Sequence, residues 1–396
     1  MRRQAQFAGR QDLPYDRELI RSGGVSAQRS RREGRAGPPP PRGQARRVRP
    51  QRPPRRRGSF LGTLRTILLL LLVLAVIGIV LAGVRAAAFN ATVSTAGFPS
   101  TALFGPLNGS DRVNVLMVGY GGGDHDGAYL ADSIQILSID PETDTTTSIP
   151  IPRDLWIEGV AAYPQNGKIN EVYSTGEVRG GLEAAGDLLA DVVSEVSGLD
   201  IEHWISIDFQ GFQEMVDAVG GVTVDNPRAF SYAVTEAAHR AGQWDRGSFA
   251  AGELQLDGRD ALMYSRARFT SVQQESTDYA RSARQARVIG ALRSKLGEGG
   301  ITSILPGLQM MDALEGRMLT NVSAIDLFLL AGHLSADRRI ELTEGVVLTA
   351  TTNTIGQYIL IPSDWTGPGA YGGLRSYLER ELAAPVDADG PDADAP

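Results

Sequence analysis

The chain has no cysteine in its 396 residues, which excludes a disulfide scaffold, thiolate zinc, iron–sulfur ligation and a cysteine nucleophile. Histidine is nearly as scarce. His125, His203, His239 and His333 lie far apart, so no His-rich metal site is expected and any metal must draw on oxygen ligands. A GxSxG elbow is missing as well, which disfavours a covalent serine enzyme. Lysine is absent from residues 1–65, and residues 1–58 hold almost no aromatic or β-branched side chains. With so little to bury, that segment cannot offset the entropy of ordering and is expected to be disordered.

What the chain does have is charge of opposite sign at its two ends. The net charge is −7, but residues 1–65 carry 18 Arg against Asp12, Asp16, Glu18 and Glu33, or 18 − 4 = +14, leaving −7 − 14 = −21 for the remainder. Between them Thr66–Val84 runs for 19 residues without a charge, with Arg65 and Arg85 at its borders. At about 1.5 Å per residue such a helix is roughly 28 Å long, enough to cross a bilayer. Its all-round apolarity speaks against a buried core helix, and the long segment before it speaks against a cleaved signal peptide. A signal-anchor is the reading adopted. The arginine excess places the N-terminus in the cytoplasm and the rest outside a cell membrane crossed once. No aromatic platform interleaves the arginines, so no nucleic-acid partner is expected. The expected organisation is a tail over 1–60, a transmembrane helix over 61–85, a small-residue stalk over 86–110, a catalytic domain over 111–384 and an acidic tail over 385–396.

Within the outer part, RVNVLMVG (112–119), SIQILSID (133–140) and TTTSIPIP (145–152) read as strands. GLEAAGDLLADVVSEVSG (181–198) reads as a helix closed by Gly198, and HWISIDF as a strand leading into the short helix FQGFQEMVDAVGG. Further helices are expected at about 279–296, 301–315 and 323–335, with strands at 343–349 and 356–361. Strands alternating with helices imply an α/β fold whose mainly parallel or mixed sheet is covered on both faces.

The chemistry concentrates in residues 259–295. There eight basic residues (Arg259, Arg266, Arg268, Arg281, Arg284, Arg287, Arg293, Lys295) face three acidic ones (Asp260, Glu275, Asp278), or +5. Ile289, Leu292 and Leu296 form a helical stripe that stepping back by four extends to Gln285 and Arg281, so the buried face turns polar at its start. A guanidinium there needs an anion to meet it. Arg266 and Arg268 share one face if the segment is extended, and arginine forks suit phosphate oxygens. Structural ion pairs with Asp278 or Asp132 are the alternative account. Asp132 opens the second strand, and Arg153 and Asp154 follow the third, beyond the carboxyl end where α/β sheets bind ligands. Asp124, Asp126 and Asp132 could offer hard oxygens to Mg²⁺ or Mn²⁺, although Asp124 and Asp126 serve equally as turn residues in GYGGGDHDG. Arginines, carboxylates and a hard cation favour phosphoryl-type transfer.

The order and spacing of RVNVLMVG, ADSIQILSIDP, SIPIPRDLW, KINEVYSTG, HWISIDFQGFQEMVDAVGGV, ALMYSRAR and DYARSARQARVI, behind a basic tail and one span, resemble the LytR–CpsA–Psr (LCP) proteins over about residues 111–345. The resemblance implies a single extracytoplasmic α-β-α sandwich with a mixed central sheet. It implies a membrane-anchored phosphotransferase that moves a teichoic acid, capsule or similar glycopolymer from a polyprenyl-diphosphate carrier to peptidoglycan through a phosphodiester. A polyprenyl-diphosphate hydrolase, or a non-enzymatic envelope scaffold or regulator binding anionic polymer, is the alternative. On the matching motifs, Arg153, Arg266, Arg268 and Arg281 would act on the diphosphate, Gln285 would join them in binding it, and Asp132 would associate with magnesium and help deprotonate the acceptor. Gly121 stands where many members carry an Asp, so Asp124 or Asp126 takes over or fewer carboxylates serve. The resemblance also implies a lipid pocket. Leu182, Leu189, Val193, Phe209, Phe212, Met215 and Val216 are candidates to line it, with ordinary core packing as the alternative for each.

Overall fold

The computed structural model describes residues 60–97, 112–123, 127–143, 145–233, 235–244, 247–297, 304–330, 336 and 338–384. The basic tail, Asp124, Asp126, the acidic tail and most of the expected stalk lie outside them. Helix α1 (Phe60–Val93) contains, by length and composition, the one helix among the described residues able to cross a membrane. It does not stop at the border of the apolar run. Residues 86–93, expected as the start of a stalk, continue the helix because Phe89 and Val93, four apart on one face, are buried against Val115, Ile139, Leu314 and Met318. Asn90 Oδ1 accepts a hydrogen bond from the Ala324 amide (2.8 Å), and Arg85 pairs with Asp312 and, at 3.6 Å, with Glu315.

The central sheet is built from β1 (Val113–Tyr120), β2 (Ala131–Asp140) and β3 (Thr145–Pro150), which form an antiparallel meander. A short hairpin of β4 (Trp156–Ile157) and β5 (Gly167–Lys168) leads into α2 (Ile169–Ser197). Strand β6 (His203–Asp208) then returns parallel to β1. The full order is completed by two later strands, β12 (Met318–Thr320) antiparallel to β6 at one edge and β13 (Arg338–Arg339) parallel to β3 at the other. The sheet is therefore mixed, as expected. Helix α2 is longer than the expected 181–198 segment. It is broken at Gly180–Gly181, where Gly181 takes φ 79°, and it ends on Gly198 at φ 76°. Its buried face, including Leu189 and Val193, packs on Ile136, Trp204 and the late helix residues Leu374 and Leu378. A Cβ at Gly186 would lie 2.4 Å from the Trp204 ring, so the glycine permits the close approach of helix to sheet.

A second apolar cluster stands beside this core. It is made by α3 (Phe209–Ala218), the antiparallel pair β7 (Val222–Asn226) and β10 (Gly252–Leu256), and a small sheet of β8 (Phe230–Ala233), β9 (Ser248–Phe249) and β11 (Phe269–Thr270), with α4 (Glu236–Arg240) at its edge. Helices α5 (Gly258–Arg266) and α6 (Asp278–Gly297) close it through Ala261, Tyr264, Val288 and Leu292. The chain ends with α7 (Ile304–Leu314), α8 (Ala324–Leu330), the hairpin β14 (Leu348–Thr352) and β15 (Tyr358–Pro362), and α9 (Gly372–Ala383).

Candidate active site

Antiparallel pairing of β2 with β3 sets the start of one strand beside the end of the other, with Gln135 opposite Pro150. Asp132 and the turn after β3 thereby meet, and Arg153 Nη1 donates to Asp132 Oδ1 at 2.6 Å. The turn is fixed from three sides. Lys168 Nζ bonds Asp154 Oδ1 (2.6 Å), the Leu360 amide bonds the Asp154 carbonyl (2.9 Å), and the Asn170 amide bonds the Arg153 carbonyl (3.3 Å). The same end of the sheet holds the carboxyl ends of β1 and β6, the place where α/β sheets receive ligands. Asp208 caps α3 by accepting from the Gly211 amide at 2.6 Å. Gly122, at φ 70°, passes so near that a Cβ would lie 2.9 Å from that of Asp208.

Helices α5 and α6 supply the opposite wall. Asp257 caps α5 by accepting from the Asp260 amide (2.8 Å), and the Gly258 amide bonds Asp217 Oδ1 (2.7 Å), which seats α5 on α3. Arg266 is the last residue of α5, so the extended geometry expected for Arg266 and Arg268 does not occur; the helix ends at the Ala267 cap and presents Arg266 at its terminus. Arg266 Nη2 donates to Asp132 Oδ2 at 3.2 Å, and its guanidinium lies 3.9 Å from the centroid of the Phe209 ring. Burial pulls this guanidinium below its ordinary value while Asp132 opposes the shift. Asp132 is thus gripped by one arginine on each oxygen. Gln285 on α6 ties the walls together, accepting from Ser133 (3.3 Å) and donating to the Ser265 carbonyl (3.5 Å).

Three cavities meet at these residues. An anion-suited cavity of about 350 Å³ is lined by Asp132, Arg153, Arg266, Arg268, Arg281 and Gln285. A narrower, apolar one of about 140 Å³ runs from Ser133, Arg266 and Gln285 past Phe209, Phe212, Met215 and Ile289 to Leu292. A third, of about 670 Å³, shares Asp132, Ser133, Arg281 and Gln285 and is lined from the β3 side of β2, whereas the apolar cavity is lined from the β1 and β6 side. Every described residue singled out in the sequence for the diphosphate therefore lines one cavity. Asp124 and Asp126 lie outside the described residues. Of the apolar candidates, Phe209, Phe212 and Met215 line the narrow cavity. Leu189, Val193 and Val216 are instead packed in the two cores, with Leu182 partly buried against the first.

Sequence reasoning missed one central residue. Arg284 is fully buried and bonds the Tyr264 carbonyl (2.9 Å), the Glu275 carbonyl (3.0 Å), Glu275 Oε2 (2.8 Å) and the Ala267 carbonyl. The buried stripe of α6 runs Arg281, Arg284, Val288, Leu292, one residue out of phase with the expected Arg281, Gln285, Ile289, Leu292. Stepping back from Leu292 through Val288 was the signal that would have found it.

The LytR_cpsA_psr family profile matches residues 84–362. The polyisoprenyl-teichoic acid–peptidoglycan teichoic acid transferase TagU of Oceanobacillus iheyensis is 33% identical over 253 residues, 63% of this chain and 72% of that one. TagU of Bacillus licheniformis is 29% identical over 222 residues, 56% of this chain and 64% of that one, so here the chain spans just under two thirds of the relative's length. Among solved structures, protein gbs0355 of Streptococcus agalactiae superposes with a TM-score of 0.52 at 24% identity, covering 73% of this chain and 93% of that one. That likeness concerns the fold, a mixed sheet flanked by helices.

Proposed function

Because the chain belongs to the LytR–CpsA–Psr family, we propose that it is a membrane-anchored transferase that moves a polyprenyl-diphosphate-linked glycopolymer onto peptidoglycan. The observation that carries this reading is Asp132 bridged by Arg153 and Arg266 at the mouth of an apolar cavity. Guanidiniums aimed at a single carboxylate are placed for an anion with more oxygens than one carboxylate offers. Arg153 Nε is buried without a hydrogen-bond partner, although Asp154 lies 3.8 Å away, which leaves one more donor for that anion. The isoprene units next to the diphosphate enter between Phe209, Phe212 and Ile289. Helix α1 is the anchor, and the arginine excess before it sets the domain outside the membrane.

The chemistry follows from a change of partner. Before substrate arrives, Asp132 holds two guanidiniums in place. The diphosphate then takes over those donors, and Asp132 is left to accept the proton of the attacking hydroxyl. A new oxygen–phosphorus bond forms to the glycan-bearing phosphate, the bridging phosphorus–oxygen bond breaks, and polyprenyl phosphate leaves with its charge stabilised by the arginines. Among the described residues no three acidic or histidine side chains form a metal cage, and Asp132 is the only carboxylate lining the anion cavity. Mg²⁺ or Mn²⁺ commonly takes one or two carboxylates and completes its shell with phosphate oxygens and water, so Asp132 together with the diphosphate would hold it. When bound, the ion would neutralise charge on the diphosphate. The test is transfer of a lipid-linked oligosaccharide diphosphate to peptidoglycan by the Arg153→Ala variant. Wild-type turnover there would overturn the assignment, and product release that ignores the acceptor would mean a hydrolase.

A further inference from the structure

The third cavity differs in chemistry from the two it adjoins. It shares Asp132, Ser133, Arg281 and Gln285 with the anion cavity but none of the apolar side chains of the lipid cavity. Its remaining wall mixes the carboxylates of Asp154, Glu341 and Glu344, several serine and threonine hydroxyls and two aromatic rings with an apolar floor of isoleucine, leucine and proline. Those rings, Tyr279 and Tyr358, are 57% and 49% exposed. Tyr279 is held from behind, since the Arg339 guanidinium lies 6.0 Å from its ring centroid and is itself paired with Glu341. The Tyr358 hydroxyl donates to Glu344 at 3.5 Å. Asp154 is paired with Lys168 and Glu341 with Arg339, and carboxylate oxygens so held still accept from hydroxyl and acetamido N–H groups. Exposed, fixed tyrosine rings offer a flat apolar face with a polar tip, which suits the alternating faces of a pyranose.

We infer that this cleft seats the acceptor, a glycan of N-acetylated hexosamines, and so decides which hydroxyl is phosphorylated. The inference rests on the phosphotransferase reading. In-line displacement requires the attacking oxygen to arrive opposite the leaving group. With polyprenyl phosphate departing into the apolar cavity, the attacker comes from the side of Asp132 that faces the Tyr279 cleft. That approach brings its hydroxyl to the carboxylate that takes the proton.

The experiment titrates peptide-free N-acetylglucosamine–N-acetylmuramic acid oligosaccharide, and separately a short polyprenyl diphosphate with and without its sugar, into the full chain in detergent. Wild type is compared with Tyr279→Ala and Glu344→Gln, both at surface positions. Loss of one aromatic face is expected to weaken oligosaccharide binding about tenfold, with Glu344→Gln weakening it less, while both diphosphates bind as in wild type. Unchanged oligosaccharide affinity in both variants overturns the inference. So does a selective loss for the sugar-bearing diphosphate, which would make the cleft the seat of the donor's own glycan. Failure of the transferase reading registers elsewhere, as polyprenyl diphosphate binding that survives Arg153→Ala.

Discussion

Two arginines one turn apart on α6 belong to different kinds of ion-pair centre. Arg284 is sealed from solvent, and its guanidinium is met by three carbonyls and the Glu275 carboxylate. Burial pulls its guanidinium below the ordinary value while Glu275 opposes the shift. Arg281 lines two cavities and stands with Arg153, Arg266 and Arg268 around the single carboxylate of Asp132. The first centre is complete by itself. It clamps the end of α5 and the segment before α6, and so positions the loop that carries Arg268. The second opens onto cavities and keeps a donor in reserve, since Arg153 Nε is buried without a hydrogen bond. What separates a structural arginine from a binding one is therefore whether its surroundings open onto a cavity, not burial alone, since Arg281 is itself only 7% exposed.

The comparison breaks most visibly at the sealed centre. Arg284→Ala leaves the buried Glu275 with the longer contact to Arg228 (3.8 Å) and three carbonyls without this donor, and is expected to cost about 3–5 kcal/mol of stability. Chemical denaturation of the full chain in detergent measures it. Replacing both partners, Arg284→Met with Glu275→Leu, should recover much of the loss, because an apolar pair no longer carries an uncompensated charge. Failure of the double variant to recover would mean that the carbonyl bonds, not the ion pair, do the clamping. At the open centre the pattern inverts. Arg153→Ala should leave the melting temperature within a degree or two and lower turnover by about 10²–10³-fold, the usual effect of losing one donor to developing charge. A comparable drop in melting temperature would make Arg153 structural as well.

The difference between these centres was only half legible in the sequence. Strand β1 declares itself as an apolar run, β2 by its spaced apolar residues and β3 by its β-branched TTTSI, so Asp132 and Arg153 could be placed at neighbouring strand ends. Arg281 and Gln285 emerged from helical spacing. Helix phase is less robust. A stripe counted from Ile289 and Leu296 differs by one residue from the one packed through Val288 and Leu292, and that shift alone hid Arg284 and sent Ile289 to the core instead of the apolar cavity. Helix α5 carries signals of its own, the Asp257 cap and the apolar Ala261, Leu262 and Tyr264, but the i, i+2 spacing of Arg266 and Arg268 suggests an extended segment instead. Which apolar side chains face a cavity depends on how elements dock. Leu189 and Phe212 therefore look alike in sequence although one packs in the core and the other lines the pocket.

A finer test separates holding from reacting within the open centre. Asp132→Asn keeps the shape and removes the charge that competes with the diphosphate for Arg153 and Arg266. Affinity for a polyprenyl diphosphate measured without divalent cation should hold or rise, while turnover falls about 10²-fold, the lower end for losing a general base. A parallel loss of affinity would show that Asp132 serves binding and not proton transfer. Salt sharpens the same contrast. Exposed charges are screened over about 8–10 Å at 0.1–0.15 M salt and buried ones much less. Diphosphate binding should therefore weaken from 0.1 M to 0.5 M salt while the contribution of the Arg284–Glu275 pair stays constant.

The smallest effect comes from a group outside both centres, and it separates them by pH. His203 opens β6, and its Nδ1 is buried without a hydrogen-bond partner. Burial lowers its value from the ordinary 6.5, with Glu202 and Asp326 opposing. The folded state thus binds the proton less readily than the unfolded one. The stability this contributes is present above pH 6.5 and is lost as pH falls through the lowered value. Neither arginine changes charge in that range, because guanidinium groups stay protonated far above it. A shallow loss of stability below pH 6.5 that disappears in His203→Gln would assign the slope to β6. If the slope persists in that variant, the acid sensitivity does not come from His203, and the assignment to β6 fails.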